Sequence, residues 1–165
     1  MSTLADDQAA VFFLRSYTAV DGLWFMKVEE QLGFEAALEI DAAVWSVMPK
    51  IQARALKTMT GQERGLAALH LCLTTKLHWE GYAFEAILDD GRALQITIRD
   101  CPWRRLLHKS GREHLAERIG RRICGIEYAV WAAEFGEALR FKMGACLCAG
   151  EGCCELRFAD IGGGP

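Results

Sequence analysis

The sequence predicts an α+β domain in which helices pack on a four-stranded antiparallel sheet made of two hairpins. Three observations carry that expectation. Apolar residues recur at helical three- and four-residue steps through most of the first 78 residues. The period then drops to two at residues 82–88 and 94–98, on either side of Asp90-Gly91. After two more helical stretches, a second alternating pair of segments closes the chain.

Residues 5–32 form the first predicted helix, with Leu14, Tyr17, Trp24, Val28 and Leu32 on one stripe and Gly33 as its stop. A second covers residues 35–59, with Leu38, Val44, Trp45, Met48, Ile51 and Leu56 inward. Pro49 predicts a kink or break there, because it lacks an N–H and its ring crowds the preceding turn. The third spans residues 62–78, with Leu66, Leu69, Leu73 and Leu77 on a stripe and Cys72 beside it in the core. Asp90-Gly91 is a hairpin signal, since both central positions of a type I′ turn need positive φ. Cys101-Pro102 ends the second strand, and proline suits the first turn of a short helix over residues 102–109. A longer helix over residues 113–135 places Leu115, Ile119, Ile123, Ile126, Val130 and Ala133 near one face. The last hairpin reads as strand 138–147, loop 148–152 and strand 153–161, with a frayed tail at 162–165. With no repeat and no linker composition, residues 1–165 are expected to form one domain.

Composition excludes several function classes. A chain of 165 residues and 18.4 kDa normally closes around one core. The hydrophobic fraction of 52% and charged fraction of 25% exclude a disordered chain. Nineteen basic against 22 acidic residues give a net charge of −3, which argues against a nucleic-acid partner. No 18-residue run lacks charge, so no membrane partner is expected. No basic stretch precedes an apolar one at the N-terminus, so a cytoplasmic location with reduced thiols is expected. A Walker loop, G-x-G-x-x-G, G-x-S-x-G and H-E-x-x-H are all missing.

Seven cysteines then carry the most information. Their odd number and a reducing compartment count against a disulfide framework. Buried thiols, a metal site and a reactive nucleophile remain. Cys101 sits where a strand meets a helix N-terminus, flanked by Arg99, Arg104 and Arg105, and both features favour a thiolate. The plainer alternative is a small buried residue at a helix start. Cys124, Glu127, Tyr128 and Trp131 share one helix face. A thiol and carboxylate one turn apart suit a metal or acid–base work; the alternative is a core cysteine with Glu127 paired to Arg121 or Arg122. In a strand, Cys146 and Cys148 point one way, while Cys153 and Cys154 point opposite ways, so only one of the latter converges with Cys148. No paired C-x2-C motif exists, which argues against a zinc ribbon.

The other polar clusters have ordinary explanations beside functional ones. His70, His78, His108 and His114 fit surface or satisfied core positions better than a ligand set. Residues 99–122 hold seven arginines and Lys109 against Asp100, Glu113 and Glu117. That excess points to an anionic ligand or, more simply, to a solvated face with local ion pairs. Among five tryptophans, Trp103 and Trp131 are placed to line a pocket with Tyr128, beside Arg104 and Arg105.

Cys101-Pro102, Cys124-x2-Glu127, Cys148 and Cys154-Glu155-Leu156-Arg157-Phe158, together with Leu14-Arg15-Ser16-Tyr17 and Asp21-Gly22-Leu23-Trp24-Phe25, resemble a family of small cytosolic proteins. That family is grouped with L-2-amino-thiazoline-4-carboxylate hydrolase. The closing strand is also similar to 4-vinyl-reductase-type small-molecule-binding domains, some of which hold zinc through cysteines and a glutamate near a ligand pocket. The resemblance implies a metal set of Cys101, Cys124, Cys148 and Cys154, with Glu127 as a candidate.

Two functions follow as expectations. The first is a small-molecule-binding domain with a cysteine-held metal, zinc ahead of an iron–sulfur cluster. The second is a cysteine-dependent hydrolase of a small cyclic amidine or amide carboxylate such as a thiazoline, with Cys101 and Glu127 catalytic. Both leave room for a homodimer.

Overall fold

The computed structural model describes residues 6–162. The predicted tail beyond Gly162 lies outside them. Two compact units divide the chain, residues 1–41 and 42–165. No composition break marks that boundary, which falls inside a helix.

In the first unit, α1 (Asp6–Leu32) is closed by Gly33, whose φ of 87° needs glycine and whose N–H donates to the Glu29 carbonyl at 2.8 Å. The inward residue of α1 is Phe25, edge-on to Phe34 at 5.9 Å between ring centres. Trp24 and Leu32, expected on the buried stripe, are exposed. Helix α2 (Phe34–Trp45) begins in this unit.

The second unit holds α3 (Met48–Thr60), α4 (Gly65–Trp79), β1 (Ala83–Asp89), β2 (Ala93–Asp100), α5 (Pro102–Lys109), α6 (Ala116–Phe135), β3 (Leu139–Met143) and β4 (Cys154–Asp160). The break expected at Pro49 occurs at residues 46–47 instead. Proline then occupies the first turn of α3, where its missing N–H costs nothing. The break resets the helical phase. Val44 and Ile51, expected inward, are exposed, and Ala42, Pro49 and Ala53 are buried in their place.

The four strands form one antiparallel sheet in the order β1-β2-β4-β3, two hairpins joined through β2 and β4. Asp90 and Gly91 have φ of 40° and 71°, as a type I′ turn requires. The sheet turns Leu94, Ile96, Ile98, Leu156 and Phe158 into the core. Helix α4 packs against β1 and β4, α6 against β3, and α3 against both helices. Leu66, Leu69, Leu73 and Leu77 of α4 are buried as expected, each side chain contributing about 1.5–3 kcal/mol by leaving water. Cys72 is fully buried beside them. No described helix is long and apolar enough to cross a membrane.

The last hairpin differs from its predicted form. Strand β3 stops at Met143 and β4 starts at Cys154, so Cys146 and Cys148 lie in a ten-residue connection, not in a strand. The ladder fails because two residues crowd opposite one. Gly144 donates to the Glu155 carbonyl at 2.8 Å, and Glu155 donates back to the Ala145 carbonyl at 2.9 Å. This is a β-bulge. A side chain at position 144 would meet Glu155 within 2.7 Å, so only glycine fits there without displacement.

Candidate functional site

Helix α6 turns its chemically rich face inward. The apolar period predicts Leu115, Ile119, Ile123, Ile126, Val130 and Ala133 on the core side, and of these only Ile123 is buried. The buried row is instead Ala116, Gly120, Ile123, Glu127, Tyr128, Trp131, Ala132 and Phe135. The face is rotated by about one residue because buried partners wait for Glu127 and the aromatic rings. Tyr128 lies 5.7 Å from the Phe141 ring, and Trp131 stacks on Phe135 at 6.0 Å.

Glu127 forms a buried ion pair with Lys76 of α4. Lys76 also pairs with Glu80 at 3.0 Å, and Gln52 donates to Glu80 at 3.2 Å. Burial opposes charge on Lys76, but the Glu127 and Glu80 carboxylates outweigh it and hold the ammonium well above its ordinary value. Burial pushes the Glu80 carboxyl up, against the pull of Lys76, and the Glu127 carboxylate adds to the rise. The expected partner for Glu127 was Arg121 or Arg122, and the structure corrects this to Lys76. Arg121 pairs with Glu117 on the outside of α6 at 3.0 Å. Tyr82 and Tyr128 flank the same network, and burial raises both hydroxyls well above the ordinary phenol range. The Trp131 indole N–H is buried with no hydrogen-bond partner among the described residues.

The thiols gather beside this network. Cys146, Cys148 and Cys154 lie close enough together to shift one another's ionisation. One thiol of the three is lowered by its neighbours and the other two are raised, so the group titrates together and ionises one member at a time. Leu147 N–H donates to Cys154 Sγ at 3.1 Å. Glu151 accepts from the Cys146 N–H at 2.6 Å, and Gly150, with φ of 84°, closes the turn. Cys124 of α6 is near enough to interact with Cys101, Cys146 and Glu127; burial and these neighbours raise its thiol well above the ordinary value. Gly120 makes the approach possible: a Cβ there would lie 2.8 Å from Cys148 Sγ. Among the described residues, no three His, Cys, Asp or Glu side chains stand in a ready-made metal geometry.

Cys101 departs from its expected electrostatics. It precedes α5, and the Trp103 and Arg104 amides and the Tyr82 hydroxyl favour its thiolate, but burial outweighs them and raises the thiol. The arginines are engaged elsewhere. Arg99 pairs with Glu85 at 3.8 Å, Arg104 with Glu113 at 3.3 Å, and Arg105 with Asp100. The basic segment is therefore a largely exposed face with local ion pairs. Trp103 sits edge-on to Trp45 at 5.8 Å. His108 bonds Glu113 at 2.7 Å on the surface. An open recess of 490 Å³ lies elsewhere, at the end of α3, lined in part by Arg54, Lys57 and Arg64.

Cys146 is the residue sequence reasoning left out of the site. Its signal is the even spacing to Cys148 and Cys154, which the bulge converts into convergence. Of the adjacent pair, Cys154 is the one whose sulfur accepts a hydrogen bond from the Leu147 N–H, next to Cys146.

A family model described as a family of unknown function (DUF6125) matches residues 4–153. The chain belongs to that family. The match takes in Cys101, Cys124, Cys146 and Cys148 of this DUF6125 member and stops one residue before Cys154. No curated protein matches it. Among solved structures it is similar to the phenol-responsive sensory domain of the transcription activator PoxR, crystallised with phenol, at 14% identity and a TM-score of 0.49. That likeness covers 87% of this chain and 73% of the other.

Proposed function

We propose that this chain is a small-molecule-binding module whose site borders a zinc ion held by Cys124, Cys146, Cys148 and Cys154. The observation that supports the proposal is the approach of three cysteine-bearing segments: Gly120 of α6 lies against Cys148 Sγ, and the Leu147 N–H of the bulged connection donates to Cys154 Sγ at the start of β4 at 3.1 Å. Four soft donors suit zinc in a closed tetrahedral site. The N–H from Leu147 to Cys154 Sγ and the space left by Gly120 orient two of the donors. Glu127 stays with Lys76, and Cys101 stays with Tyr82. This set differs from the resemblance-derived one by Cys146 in place of Cys101. The small molecule would meet the buried polar groups beyond the sulfurs, among them Tyr82, Tyr128 and the unpaired Trp131 N–H.

Elemental analysis of protein purified without added metal tests the zinc reading. About one equivalent is expected, falling several-fold in Cys146→Ser and unchanged in Cys101→Ser. Fully folded protein with less than about a tenth of an equivalent of any transition metal would overturn it. The hydrolase alternative, with Cys101 and Glu127 catalytic on a thiazoline-like ring, gains no comparable support. It needs a reactive thiolate and arginines open to a substrate carboxylate. Cys101 is raised by burial, and Arg99, Arg104 and Arg105 each face a carboxylate of the chain itself.

A further inference from the structure

The backbone places two of the clustered cysteines directly across from each other. The β3–β4 ladder pairs Met143 with Leu156. The bulge then spends Gly144 and Ala145 together on Glu155. The next opposed positions are therefore Cys146 and Cys154. No backbone bond joins these two: the Cys146 N–H goes to Glu151, and its carbonyl accepts from Ala149 and Glu151. The Cys154 sulfur accepts from the Leu147 N–H at 3.1 Å, one peptide bond from Cys146, which brings it within reach of a disulfide to that residue. Cys146 and Cys148, two residues apart in a tight turn, lack this facing arrangement.

We propose that Cys146 and Cys154 form a reversible redox pair, closed to a disulfide by a hydroperoxide and opened by a dithiol reductant. One sulfur of the pair takes the hydroxyl of the peroxide, the O–O bond breaks, and the alcohol or water leaves; the thiol becomes a sulfenic acid. The other thiol attacks that sulfur, the S–S bond forms, and the hydroxyl departs with its proton as water. Two thiols lose two electrons in all, and the peroxide is the species reduced. The bond would lock the bulged connection and, where a metal is bound, withdraw two of its four sulfurs. The proposal goes beyond the zinc reading and stands without it.

The test uses the full chain, both as purified and after chelation, treated with hydrogen peroxide. Trypsin and a glutamate-specific protease cut after Lys142, Glu151 and Arg157, which separates Cys146 and Cys148 from Cys153 and Cys154. The expected product is lighter by two hydrogens, cross-links the two fragments and reverts under dithiothreitol. It is lost in Cys146→Ser and in Cys154→Ser and kept in Cys148→Ser and Cys153→Ser. A link confined to the Cys146–Cys148 fragment, dependence on Cys153, or accumulation of sulfinic acid without any link would overturn the proposal. Metal content is read on the same samples. A metal-free chain that still forms the link sinks the zinc reading alone, and a zinc-loaded chain that forms no link before or after chelation sinks this proposal alone.

Discussion

Lys76, Glu80 and Glu127 hold two buried carboxylates on one buried ammonium, and the balance between them sets the cost of changing any one. Replacing Glu127 with alanine removes one of two carboxylates on Lys76 while Glu80 still holds it, so the free energy of unfolding should fall by about 1–3 kcal/mol. A paired loss, Lys76→Met with Glu127→Leu, should cost much less than the sum of the single changes. Glu80 has a signature in pH. Its carboxyl is raised in the folded chain, first by burial. The folded state thus holds the Glu80 proton more tightly than the unfolded state does. Its contribution to stability is greatest at low pH and declines as pH rises through the unfolded value of about 4.3 toward the folded one. Lys76, raised as well, stays charged throughout that window. Unfolding curves across it should therefore show a decline in the native chain that Glu80→Gln flattens. An equal decline in both would assign the pH dependence to other groups.

At the scale of elements, α6 and the β3–β4 connection decide the site. Gly120 and Cys148 bind them together. Alanine at position 120 gains about 1 kcal/mol of helix propensity but puts its Cβ 2.8 Å from Cys148 Sγ. Overpacking of that kind costs about 1–3 kcal/mol, so Gly120→Ala should lower stability and, if the proposed zinc is bound, its content too, whereas Gly125→Ala, with open space around its Cβ, should do neither. The sequence made much of these elements legible. Apolar spacing marks α4, Pro102 starts α5, Gly136 follows the end of α6, and Asp90-Gly91 turns the first hairpin. It misplaced the inward face of α6, because hydrophobic period cannot foresee that a glutamate finds a buried lysine 51 positions earlier. It drew the last hairpin too long, because strand alternation carries no sign of the bulge at Gly144 and Ala145. The thiols were visible as residue types. Which of them meet depends on that bulge and on the gap at Gly120.

Across the whole molecule, the sheet and α4 supply a conventional apolar core, while the polar and sulfur chemistry collects along one side of α6. Distant segments meet there: α4, the start of α5, the middle of α6 and the final hairpin. In the first unit, α1 exposes Phe12, Phe13, Val20, Leu23 and Trp24, an apolar face unlike the ordinary surface of a helix. A metal at the sulfurs would tie three of the second unit's segments through one centre, so its binding energy would also be folding energy. X-ray absorption at the zinc edge of the protein as purified addresses that claim most directly. Four sulfur neighbours at about 2.3 Å are expected, dropping to three with one oxygen or nitrogen in Cys146→Ser. A shell dominated by nitrogen or oxygen, or one left intact by Cys146→Ser and altered by Cys101→Ser, would contradict it.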